Sequence, residues 1–266
     1  MKKVLALAAV AASVALVVVG AALADHSWNG YHWERSANPL QLSVGDNVDS
    51  RWDTYLNEAI VDWTRSSVID LSNDPGGTSP KSCRPTSGRI EACNASYGNT
   101  GWLGIAQIWV SGSHITQAIT KVNDSYFDTA TYNTPAWRQL VMCQEIAHDF
   151  GLDHQDETYD NPNLGSCMDY TNDPDGGAGG ASSNDPTNER PNAHDFEQLE
   201  AIYAHLDTGG GGGTPGCPGP APKCQSGAGN PPTFSQADRA NGSVYLDALP
   251  GGATRITHVF WTPFGE

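Results

Sequence analysis

Positive charge is scarce in this chain: 14 Lys and Arg stand against 30 Asp and Glu, a formal net charge of -16 at pH 7. Such a surface repels polyanions, which excludes nucleic acid and anionic bilayers as natural partners. None of the six cysteines sits in a CxxC pair, so a zinc ribbon or knuckle is excluded. No internal repeat runs through the sequence, and a solenoid is excluded with it.

What is present begins with a leader. Met1-Lys2-Lys3 precedes an apolar run from Val4 to Leu23, closed by Ala22-Leu23-Ala24 before Asp25. This is the layout of a secretory signal with a small-residue cleavage site, and it predicts export with no stable membrane insertion afterwards. In an exported protein an even cysteine count reads as disulfides. Local pairing, Cys83 with Cys93, Cys143 with Cys167 and Cys217 with Cys224, is the preferred one of the several connectivities that six cysteines permit.

Composition divides the chain into a signal peptide at 1–24, a main domain at 25–207, a Gly/Pro-rich linker at 208–224 and a C-terminal segment at 225–266. The linker is marked by five consecutive glycines followed by closely spaced prolines. Beyond it, apolar and polar residues alternate on both sides of Pro250-Gly251-Gly252, the pattern of a β-hairpin. A lone hairpin is marginal in water, so it is expected to dock on the main domain or on a partner.

Within the main domain, Leu40–Val44 and Ser67–Leu71 read as strands, and Trp52, Leu56, Ala59, Ile60 and Trp63 recur at helical spacing between them. Residues 73–100 are rich in Gly, Pro, Ser and Asn and read as a long loop. Trp102–Val110 and His114–Val122 read as two further strands. Thr134-Pro135 caps a helix that runs to Phe150 and stops at Gly151. Asn192 caps a last helix carrying Phe196, Leu199, Ile202 and Tyr203.

The helix ending at Gly151 carries the chemistry. Gln144 and His148 lie four residues apart and share a face, Glu145 borders that face, and a left-handed Gly151 turns His154 back towards His148. Two imidazoles, a carboxylate and an amide thus converge. The pattern QExxHxxGxxH at 144–154 resembles the HExxHxxGxxH of metzincin zinc proteases, with Gln in place of the first His. Ser166-Cys167-Met168-Asp169-Tyr170 resembles their Met-turn, and the helix from Asp195 to Tyr203 is similar to the C-terminal helix of the matrixin branch.

The resemblance implies an α/β (α+β) zincin fold: a twisted mixed sheet, two packed helices, and a C-terminal helix after the Met-turn. It implies Zn2+ held by His148, His154 and Gln144, Glu145 as general base on water, and Tyr170 near the metal or the oxyanion. It also implies a monomeric, extracellular endopeptidase acting on peptide or protein substrates, with Leu103–Val110 as the edge strand that pairs with them. Amide oxygen is a weaker zinc ligand than imidazole. Two alternatives therefore stay open: completion of the site by His114, His194, Asp156 or Glu157, and an inactive binding protein on the same frame. Asp153, Asp156, Glu157 and Asp160 offer oxygens for Ca2+ without EF-hand spacing; a solvated loop is the expected reading.

Overall fold

The structure, a computed structural model, describes residues 26–177, 184–207 and 242–263. The leader, the 208–224 linker and the Cys217–Cys224 pair lie outside these residues. Among the described residues no helix is long and apolar enough to cross a membrane.

Strand β1 (His32–Trp33) is followed by β2 (Leu40–Asn47), helix α1 (Asp53–Trp63) and β3 (Ile69–Pro75). Then come β4 (Ile90–Ala95), β5 (Trp102–Ser111), β6 (His114–Asn123), the short α2 (Asp124–Phe127) and α3 (Pro135–His148). Helix α4 (Ala193–Ile202) and the hairpin of β7 (Val244–Ala248) and β8 (Thr254–Trp261) complete the order. All strands join one twisted mixed sheet of order β3-β2-β4-β6-β5-β8-β7, with β1 paired to the start of β6. Strands β3, β2, β4 and β6 run parallel, whereas β5, β8 and β7 add antiparallel pairs at the other side.

Two features depart from the sequence reading: residues 73–100 contain a strand, and Leu103–Val110 is not an edge strand, because β8 pairs along it. Residues 73–100 are not wholly loop, because Ile90–Ala95 forms β4 between β2 and β6. The strand was masked by Glu91 and Asn94, polar residues in an element whose first five residues are buried. Glu91 accepts hydrogen bonds from Asn47 Nδ2 (2.7 Å) and Gly77 N (3.1 Å), and Arg89 Nε stands 3.4 Å from it. The C-terminal hairpin docks on the main domain, as expected, and in doing so pairs β8 along β5 from Trp102 to Val110, so the expected edge strand lies inside the sheet.

The core lies between the sheet and the helices. Trp52 at the N-cap of α1 and Leu56 and Trp63 within it are fully buried, and Trp63 Nε1 donates to Cys143 O at 3.0 Å, tying α1 to α3. Helix α3 starts as its residues dictate: Thr134 Oγ1 accepts from Trp137 N at 3.3 Å and Pro135 occupies the first turn. Every residue from Ala136 to His148 is buried. The disulfides Cys83–Cys93 and Cys143–Cys167 are formed, the second joining α3 to the turn that carries Met168.

Candidate metal centre

Gly151 has φ +102°, and a Cβ there would collide with Tyr31 O. Only glycine makes this turn at no steric cost. It brings His154 back so that His154 Nε2 lies 3.0 Å from His148 Nε2. A third imidazole joins them from the hairpin: His258 of β8 stacks on His148 with ring centroids 3.9 Å apart. The ligand atoms of His148, His154 and His258 lie within 4.8 Å of one another, and all three residues are buried.

Hydrogen bonds fix the tautomers. His148 Nδ1 donates to Leu152 O at 2.7 Å, and His154 Nδ1 donates to Glu157 Oε1 at 2.8 Å. The bond from His154, chiefly, holds the Glu157 carboxyl down at about 2, so it accepts only. With both rings neutral, the two Nε2 lone pairs face each other at 3.0 Å, a repulsive arrangement without a proton or a cation between them. Two nitrogens on one tetrahedral zinc, at bonds of about 2.0–2.1 Å, stand roughly 3.3 Å apart. Neither ring nitrogen of His258 has a hydrogen-bond partner among the described residues. Burial, followed by the neighbouring imidazoles, keeps His148 and His258 well below the usual histidine range. Neutral imidazoles with backing acceptors are the donor set zinc takes, so the residues fit that ion.

Glu145 sits one turn before His148, fully buried, with neither carboxylate oxygen partnered among the described residues. Burial, then the Asp149 charge, pushes its carboxyl well above the usual range. Gly104 of β5 leaves the space for it: a Cβ there would lie 2.5 Å from Glu145 Oε1. Tyr170 packs against His154 at 4.4 Å between centroids, and its hydroxyl donates to Val259 O of β8 at 3.4 Å. Burial drives that phenol well above its normal range.

Gln144 is fully buried; its Nε2 donates to Cys167 O at 2.7 Å and its Oε1 has no partner among the described residues. Met168 is buried beneath, held by Met168 N donating to Ser166 Oγ at 2.9 Å and by Gln155 N donating to Met168 O. Gln155 also donates to Asp195 Oδ1 at 2.7 Å, and Ser166 Oγ donates to Asp195 Oδ2, so the turn is tied to the capping box of α4.

Of the residues considered as substitutes for the missing imidazole, Glu157 backs His154 rather than joining the rings. His194 packs on His26, and His114 pairs with Asp207. Asp156 Oδ1 accepts from Thr158 N and Asn161 Nδ2, and among the described residues the four acids weighed for Ca2+ do not gather into one cluster. His258 was missed because a histidine on an alternating strand 104 residues beyond His154 looks like any half-buried strand position. The one signal was the unpartnered hairpin itself.

Sequence comparison gives no match to a protein-family model and none to a curated protein. Among solved structures the chain overlaps myroilysin at 12% identity and a TM-score of 0.37, covering 67% of this chain and 98% of that one. It also overlaps high choriolytic enzyme 1, a hatching enzyme zinc-protease from Oryzias latipes (medaka fish), at 12% identity and a TM-score of 0.36, covering 66% and 96%.

Proposed function

We propose that the chain is an exported, zinc-dependent peptide hydrolase of metzincin type whose third imidazole ligand is His258 rather than a residue of the helix motif. The observation that carries this is the pair of bare Nε2 atoms at 3.0 Å, joined by a buried imidazole with two unpartnered nitrogens. Zinc bound there supplies Lewis acidity towards a carbonyl and acidifies water. Glu145 would take the proton from water and return it to the leaving amine. Leu152 O and Glu157 orient the two motif imidazoles, and Tyr170, packed on His154, would turn its O–H from Val259 O towards a developing oxyanion. The two disulfides accord with an oxidising, extracellular setting.

A second reading has its own observation. Strand β8 takes the β5 edge that an extended peptide would use, and Glu145 beneath it is wholly buried. In that reading zinc at the same centre is structural and the chain is a secreted binding protein. Zinc content and peptide cleavage, measured on the same samples of wild type, Glu145→Gln and His148→Ala, separate the two. Hydrolysis is expected in zinc-loaded wild type, lost in Glu145→Gln with zinc retained, and lost in His148→Ala together with the zinc of this centre. Zinc that wild type holds and His148→Ala loses, in a wild type that cleaves no peptide, selects the second reading; equal zinc in wild type and His148→Ala sinks both.

A further inference from the structure

A second convergence of imidazoles lies where β1 meets β6, built from residues the first centre does not use. His32 of β1 stands in register with His114, the first residue of β6. Asp207, beyond α4, is anchored by a backbone pair with Arg35: Arg35 N donates to Asp207 Oδ2 at 2.8 Å and Asp207 N donates to Arg35 O at 2.9 Å. Its other oxygen, Oδ1, is left to three rings. His114 Nε2 lies 3.2 Å from it, His205 Nε2 3.4 Å and His32 Nε2 3.7 Å. The rings of His114 and His205 each stand edge-on to that of His32, at 4.9 Å between centroids.

His32 makes the arrangement diagnostic. The residue is 5% exposed, and its Nδ1 donates to Gly30 O at 2.7 Å. In the neutral ring Nε2 is then a bare lone pair, 3.7 Å from a carboxylate oxygen and without a hydrogen-bond partner among the described residues. That nitrogen and an oxygen of the half-buried Asp207, 3.7 Å apart, repel unless a proton or a metal cation lies between them. The nearby Arg35 guanidinium does not serve, because its N–H groups go to the carbonyls of Tyr203, His205 and Val68 and to Asn38 Oδ1.

We propose that His32, His114 and Asp207 hold a second divalent cation of the zinc class, completed by His205 turning in from the surface, separate from the first centre and independent of its function. The ligand atoms of His32, His114 and Asp207 lie within 4.8 Å of one another, and the exposed His205, 3.4 Å from the same carboxylate oxygen, can turn in to close the set, so the role is structural. His205, with a side chain 57% exposed, gives the ion its way in. The ion staples the N-terminal segment to β6 and to the end of α4. That segment supports the first centre from behind: Trp33 Nε1 donates to Asp149 O at 2.8 Å, and Tyr31 O lies against Gly151.

The test is zinc content of the full mature chain after exhaustive dialysis, with the Co2+-substituted protein examined for tetrahedral absorption. About two equivalents are expected in wild type and about one in the His148→Ala/His154→Ala double variant. His205→Ala and His114→Gln should each lower wild-type zinc by about one equivalent and leave peptide cleavage unchanged. His205 is exposed enough that its loss leaves the fold intact, which circular dichroism checks. The proposal falls if the folded double variant retains no zinc, or if both His205→Ala and His114→Gln keep the full wild-type content. Loss of zinc from the first centre alone, with about one equivalent remaining in wild type and its loss in His205→Ala, would refute the proposed hydrolase and leave this site standing.

Discussion

His258→Ala is the sharpest perturbation of the first centre, because it removes a ring that no helix motif encodes. Structural zinc binding of about 10–16 kcal/mol, divided over four ligands, assigns roughly 3–4 kcal/mol to each, or ~10²–10³ in affinity. His258→Ala is therefore expected to weaken zinc binding by that factor in a competition titration against a chromophoric chelator. The variant should stay folded, since β8 keeps its backbone pairing with both β5 and β7. Gln144→Ala is the control. It removes the hydrogen bond to Cys167 O, at a stability cost of about 1–3 kcal/mol for the buried carbonyl left behind, while its effect on zinc is expected to be the smaller of the two. Unchanged zinc affinity in His258→Ala beside a hundredfold loss in Gln144→Ala would refute the assignment and return the third ligand to the helix.

Gly104→Ala places a methyl against Glu145 Oε1 and Val141 Cγ1, so it should cost about 1–3 kcal/mol in urea unfolding and abolish cleavage, with zinc retained. Removing the Cys143–Cys167 bridge with a double Ser substitution frees a 24-residue separation and should lower stability by about 3 kcal/mol, with the loss measured against the intact chain without reductant. Asp169 gives a pH signature: burial raises its carboxyl from 3.8 to about 6 although Leu164 N and Asn188 Nδ2 donate to it. A raised folded pKa means the native state binds the proton more tightly, so this stability is fully present below about 3.8 and is lost as pH rises through about 6. Asp169→Asn, whose amide oxygen still accepts both bonds, should exceed wild type in stability at pH 7, and the gap should close near pH 4 in parallel melts; a gap independent of pH would show that Asp169 is not the titrating group.

Much of the fold was legible because local rules were obeyed. The cap at Thr134, the stop at Gly151, the capping box at Asn192 and the apolar spacing of α1 each follow from side chains within a few residues of the element they define. Strand β4 was not legible, since Glu91 and Asn94 are tolerated inside the sheet only by partners contributed from residues 47–49, 77, 89 and 124. The arrangement of Gln155 followed the same logic: beside His154 it matched no motif, and its use emerges only from Asn192 and Asp195 on α4.

The sequence by itself determined the spacing of His148 and His154, the turn that joins them, and the place of Glu145 one turn before His148, because helix periodicity and a left-handed glycine act over a few residues. Tertiary structure alone decided that His258 faces them. The antiparallel register sets His258 opposite Ala106 of β5, and a slip of one residue would turn it to the other face of the sheet. The same holds for His32, His114, His205 and Asp207, which a parallel strand pair and the chain beyond α4 bring together across the length of the domain. Contacts of that range are set by strand register and the packing of whole elements, and neither is written in any local stretch of residues.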